Sequence, residues 1–119
     1  MRLVQVAQHA TDLDRAAAFY AELLGAGPTA RFDHAGLVFF DLEGTRLLLN
    51  RNAPAGLIYL QVDNVHEALD RVAAEALAQP HVIFHHDDDT LGPAGFDEWH
   101  AFVGDPDGNP VGLVAFQRP

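Results

Sequence analysis

An α+β fold of two βαβββ modules in tandem is what this sequence predicts, and three observations carry the prediction. A hairpin pattern near the end has an earlier echo, a strand followed by a capped helix also occurs twice, and the two copies align at constant offsets. In the late hairpin, Trp99-His100-Ala101-Phe102-Val103-Gly104 and Pro110-Val111-Gly112-Leu113-Val114-Ala115-Phe116 flank Asp105-Pro106-Asp107-Gly108-Asn109. The flanks are apolar and β-prone, while proline, glycine and side chains that bond back to their own backbone make the middle a turn. Gly36 to Asn50 repeats the layout, with Asp41 standing for Asp105, Gly44 for Gly108 and Leu48 for Gly112.

In chain order, Leu3 to His9 reads as a strand with Val4, Val6 and Gln8 on one face and Leu3, Gln5, Ala7 and His9 on the other. Thr11 is the expected cap of a helix, with Asp14 completing a box-like pattern. Leu13, Ala16, Ala17, Tyr20, Leu23 and Leu24 form its apolar stripe, and Gly25 ends it. A short strand is expected over 29–32, followed by the echo hairpin. After a connector at 52–56, Leu57 to Val62 reads as a second first strand. Asn64 caps a second helix, Glu67 closes its box, and Val65, Ala68, Leu69, Val72, Ala73 and Ala76 give its stripe until Gln79-Pro80 breaks it. His81 to His86 is expected as a strand, and Asp87 to Glu98 as a loop.

Gln5 aligns with Leu57, and Leu13 with Val65, at an offset of 52, whereas Leu48 aligns with Gly112 at an offset of 64. The second copy is therefore longer by twelve residues, which the acidic loop before Trp99 absorbs. The expectation is one domain over 1–119, with module 1 at about 1–53 and module 2 at about 54–119. One helix packed outside each module leaves the other sheet face bare. Two such faces would curl as a half-barrel around a cleft, the expected place for a ligand.

Composition excludes several classes of function. Neither cysteine nor serine nor lysine occurs, so thiol and serine nucleophiles, Schiff-base lysines and the Walker phosphate loop are all ruled out. A formal charge of −10 argues against nucleic acid, which demands a basic footprint, and favours a cationic ligand through long-range attraction. No apolar run reaches the ~20 residues that span a bilayer, the start lacks a signal-peptide pattern, and a cysteine-free chain suits the cytoplasm. Catalysis, if any, would have to run on His, Asp, Glu, Tyr, a metal or a cofactor.

Thr11-Asp12-Leu13 leading into Phe19-Tyr20 and Leu24-Gly25, then Val62-Asp63-Asn64-Val65 and Asp105-Pro106-Asp107-Gly108-Asn109, resemble the vicinal oxygen chelate superfamily. That superfamily comprises glyoxalase I, bleomycin-resistance proteins and extradiol dioxygenases. The resemblance covers the chain apart from 87–98. Its metal-dependent members are similar in supplying one ligand from the first strand and one from the last strand of each module, and the bound cation acts as a Lewis acid. Those positions fall here on Gln5, Leu48, Leu57 and Gly112. Leucine and glycine offer no side-chain donor, and a single neutral amide is a weak ligand, so no metal and no cofactor are expected.

Among the histidines, His81 and His85 share a strand face but stand about 13 Å apart, too far for one ion. His86 with Asp88 is the pair at a workable spacing, although Asp87-Asp88-Asp89 reads as a solvated loop. By strand parity the cleft face carries Gln5, Ala7, Arg46, Leu48, Asn50, Leu57, Tyr59, Gln61, Gly112 and Val114. Trp99, His100 and Phe39 are added with their orientation open. Gly112 opposite leucines leaves room for a ring.

Three readings follow. The first is metal-independent binding of a small aromatic or cationic molecule, as the resemblance to bleomycin-resistance-type members implies. The second is a lyase, isomerase or oxidoreductase with an unorthodox metal site, or with His100 or Tyr59 as acid–base. The third is a dimerising module whose cleft is filled by its own side chains. Open sheet edges make a homodimer the expected assembly.

Overall fold

The computed structural model describes residues 1–72 and 76–119. These residues form two α-helices and two four-stranded mixed sheets, each built by one module, and the α+β, twice-βαβββ expectation holds. Two compact units result, one comprising Met1–Leu57 with Asp105–Asn109, the other Ile58–Gly104 with Pro110–Pro119.

In the first unit, β1 (Gln5–His9) and β4 (Thr45–Asn50) run parallel, while β3 (Leu37–Leu42) and β2 (Ala30–Phe32) add antiparallel, in the order β1-β4-β3-β2. Helix α1 (Leu13–Leu24) buries Leu13, Ala16, Ala17, Tyr20 and Leu23, and the sheet face beneath it buries Gln8, Val38, Phe40, Leu47 and Leu49. Its cap is Asp12, whose carboxylate accepts from the Arg15 amide, and not Thr11 as expected. Thr11 instead donates its own amide to Asp107. Gly25 ends the helix in the left-handed region, at φ 72°.

The second unit repeats the plan with β5 (Ile58–Gln61), α2 (Val65–Arg71), β6 (Ala76–His85), β7 (Asp97–Gly104) and β8 (Pro110–Gln117), ordered β5-β8-β7-β6. Asn64 caps α2 by accepting from the His66 and Glu67 amides. Val65, Ala68 and Val72 are buried, as are Ala101, Val103, Val111, Leu113 and Ala115 of the sheet.

Three expectations about this unit are corrected. The helix stops at Arg71 rather than running past Ala76, because Ala76 already pairs with Val103 as the first residue of β6. Ala73 lies outside the described residues. Gln79-Pro80 sits inside that strand, which tolerates a proline because β6 is an edge and its register slips three times. Asp97 and Glu98 belong to β7, not to the preceding loop.

The slips also undo the strand parity of the histidines. His81 pairs with His100, but the bulge between Val82 and Phe84 puts His85 beside Asp97, on the opposite face. Asp87, Asp88 and Asp89 are exposed, and Asp88 and Asp89 accept from the Thr90 and Ala94 amides. The Asp88 carboxyl lies below its ordinary range, chiefly through the hydrogen bonds from Thr90, with a smaller pull from His86.

Candidate functional site

Each sheet has a face turned away from its helix, and the strand registers fix what lies there. On the first sheet, Gln5 is level with Arg46 and Asp41, Ala7 with Leu48 and Phe39, and His9 with Asn50 and Leu37. Gln5 Oε1 accepts from Arg46 Nε at 3.0 Å, and the same guanidinium lies 5.7 Å from the Phe39 ring. Asn50 turns back to accept the Asn52 amide, and His9 contacts the Ala53 carbonyl and the Thr11 hydroxyl. Leu48 is 7% exposed. The polar groups of this face are thus largely engaged, Gln5 with Arg46 and Asn50 and His9 with neighbouring loop groups.

On the second sheet the same alternation brings together Tyr59, Gln61, Gly112, Val114, Glu98, His100 and Phe102. Tyr59 pairs directly with Gly112, and a Cβ placed on Gly112 would sit 2.5 Å from Tyr59 Cδ2 and 3.1 Å from Phe102 Cε1. The room expected for a ligand ring at this glycine is therefore taken by the protein's own ring. That ring stands 5.7 Å from both the Phe102 and the His100 ring centroids, and Tyr59 remains 54% exposed. The result is a half-exposed aromatic surface.

Next to it lies a constellation that the sequence reading missed. Glu98 Oε2 is 2.5 Å from His100 Nε2, and Glu98 Oε1 is 2.9 Å from His86 Nε2. The side chains are 12%, 14% and 2% exposed, respectively. His86 is sealed on one side by Gly92, where an added Cβ would come within 2.9 Å of its ring and 2.6 Å of Phe116. A hollow of about 200 Å³ lined by Phe84, Asp88 and Leu91 adjoins it. The signal was present as Glu98-x-His100-x-Phe102, a period-two run hidden by starting the strand at Trp99, two residues late.

Of the remaining expected residues, Trp99 faces the helix side, 5.3 Å from His66 of α2, since its strand neighbours there are Ala115 and Val82. Leu57 precedes β5 and is exposed. The first unit also has a polar hollow of about 640 Å³ around Arg31 and Arg51, but Arg31 is already paired with Asp14 and Asp33.

The four positions at which the resemblance implies metal ligands do not fit an ion. Gln5 is committed to Arg46, Leu48 and Leu57 carry no donor, and Gly112 lies under the Tyr59 ring. Among the described residues, no group of three or more His, Cys, Asp or Glu side chains is placed to hold an ion. No helix among the described residues is long and apolar enough to cross a membrane.

Residues 2–113 match the sequence model of the Glyoxalase/Bleomycin resistance protein/Dioxygenase superfamily. No curated protein matches the chain. Among solved structures, the chain is similar to a lactoylglutathione lyase from Agrobacterium tumefaciens (23% identity, TM-score 0.69, covering 96% of this chain and 92% of that one). It is also similar to a glyoxalase-related enzyme from Fulvimarina pelagi (19%, 0.71, 96% and 87%). A third likeness is to a member of the same superfamily from Sphaerobacter thermophilus (20%, 0.65, 97% and 97%).

Proposed function

This chain belongs to the Glyoxalase/Bleomycin resistance protein/Dioxygenase superfamily, and from that premise we propose that it binds a small aromatic or cationic organic molecule without a metal ion. The observation that carries this reading is the replacement at Gly112. A position that would supply a metal ligand has no side chain, and the ring of Tyr59 fills the space as part of a surface with Phe102 and His100. Flat π-faces with a few polar groups suit an organic ring or a cation. The formal charge of −10 supports the cationic option.

Thermal denaturation against divalent metals and a panel of aromatic and cationic compounds tests the reading. A ligand at 100 times its dissociation constant adds about 2.7 kcal/mol, so binders register as a clear rise in midpoint. Stabilisation by members of the organic panel and not by metals is expected. A stoichiometric transition metal in protein purified without chelators would overturn the metal-free part.

A second reading, an enzyme of the lyase, isomerase or oxidoreductase kind working through His100 or Tyr59, is favoured by the contact of His100 with a carboxylate, the arrangement that orients a general base. Turnover lost in H100F would support it. The cysteine-free sequence supports a cytoplasmic location. Edge strand β6, with Val82 and Ile83 exposed, supports a homodimer.

A further inference from the structure

We infer that His100, oriented by Glu98, selects aromatic ligands that carry an O–H or N–H donor, the phenol and indole class. The inference rests on the binding reading above and sharpens it. As a carboxylate, Glu98 only accepts hydrogen bonds. Each imidazole reaches it through Nε2, so both Nε2 atoms carry their hydrogens. A neutral His100 then has a lone pair at Nδ1, for which no partner exists among the described residues, on a ring 5.7 Å from Tyr59 and 6.3 Å from Phe102. A ligand ring resting on those aromatics meets an acceptor at Nδ1, and the Tyr59 hydroxyl beside it can accept as well as donate, so the selectivity is carried by Nδ1.

The carboxylate behind His100 adds to that preference, since it repels an anion and strengthens the acceptor. His86 is a positioning residue. Held under Gly92, it occupies the other carboxylate oxygen and fixes the plane of Glu98. The other titratable neighbours are His81, across from His100 on β6, and Asp88, which acts on His86. Neither takes the place of Glu98 at Nε2.

The test pairs each donor with its methylated analogue, phenol with anisole and indole with 1-methylindole, titrated into the intact protein by NMR at pH 8, where an ordinary imidazole is neutral. Phenol should bind about tenfold tighter than anisole, the worth of one hydrogen bond. H100F keeps a ring in place and should bring the ratio to about one while retaining anisole. In E98Q the amide can donate to an imidazole and switch its tautomer, so the ratio should shrink or invert. Nitrogen-15 shifts of the histidines should show hydrogen on Nε2 of His100 in the unaltered protein and less of it in E98Q. Equal binding of phenol and anisole, a ratio that survives H100F, or an Nδ1–H tautomer would overturn the inference while leaving aromatic binding intact. Failure of all four compounds to bind would remove the reading on which it rests, and the inference with it.

Discussion

Replacing Tyr20 with phenylalanine removes one oxygen from the core of the first unit and leaves the ring. The hydroxyl of Tyr20 donates to Asp105 Oδ2 at 2.8 Å and accepts from Gln8 Nε2 at 3.4 Å, and all three residues are buried. Asp105 takes three further donors, the Asp107 and Asn109 amides on Oδ1 and Asn109 Nδ2 on Oδ2. Its carboxylate therefore keeps three of four partners in Y20F. The bond lost is charge-assisted, worth about 1.5–3 kcal/mol. Among the described residues, Gln8 loses the one hydrogen bond of its amide nitrogen, and its Oε1 already lacks a partner. An unsatisfied buried donor costs about 1–3 kcal/mol, part of which a rotated glutamine recovers. The expected destabilisation is about 2–4 kcal/mol, read as a lower urea midpoint at unchanged slope. A double-mutant cycle with D105A should show strong coupling, since both changes break one bond. A loss below about 0.5 kcal/mol, or additive single changes, would refute the claim that this bond anchors the Asp105–Asn109 turn in the first unit.

The same tyrosine gives an alkaline signature. Burial, and then the Asp105 charge, push its hydroxyl well above the ordinary range. A raised folded value means stability is complete below the unfolded value of about 10 and falls as pH rises beyond it. Y20F should lose less stability between neutral and strongly alkaline pH, measured by chemical denaturation at each pH. At Gly112, alanine drives a Cβ into the Tyr59 ring. G112A should cost about 1–3 kcal/mol, and almost nothing in a Y59A background. Equal costs in both would show that the ring does not occupy this site. G92A should push the 87–96 loop away from His86 and Phe116, and faster exchange of the Gly95 amide, which donates to the His86 carbonyl at 2.8 Å, would report it. Unchanged exchange would argue that the loop yields without opening.

The repeated layout was readable because turn chemistry and helix stripes are local. The offsets of 52 and 64 are repeated in the strand registers, since Ala7 faces Leu48 and its equivalent Tyr59 faces Gly112. What sequence could not supply was the register of β7. The first hairpin closes through two residues, Glu43 at φ 51° and Gly44 at φ 96°, both positive as a type I′ turn requires. The second spans five residues, Asp105–Asn109, between the paired Gly104 and Pro110. Asp105 is held by Tyr20 and its own loop amides, so the tight turn does not form. The echo therefore fails by one residue. Phe39 pairs with Leu48, but Phe102, rather than the aligned Val103, pairs with Gly112. One residue of slip exchanges the faces of a strand, which is why Trp99 points to the helix and Glu98, His100 and Phe102 away from it. The early end of α2 was illegible for a different reason. Alanine favours a helix and is depleted in strands, so local propensity pointed away from β6 at Ala76 and Ala78, and pairing with β7 overrode it.

The paired positions Ala7–Leu48 and Tyr59–Gly112 carry the physical reason why the two modules offer different surfaces. Each pair joins one large and one small residue, so each sheet fills the same station with one bulky side chain. In the first module that side chain comes from β4 as a leucine, 7% exposed and without a polar atom. In the second it comes from β5 as a tyrosine, 54% exposed, with a π-face and a hydroxyl. The exchange conserves packing, which tolerates swaps of this kind when volume is kept, and alters the chemistry presented. It also leaves β8 bare at Gly112, so the rings of Tyr59 and Phe102 close over the strand. At that station the sequence puts an aromatic surface, one strand away from an imidazole held by a carboxylate. The proposed recognition surface is thereby concentrated on the second sheet.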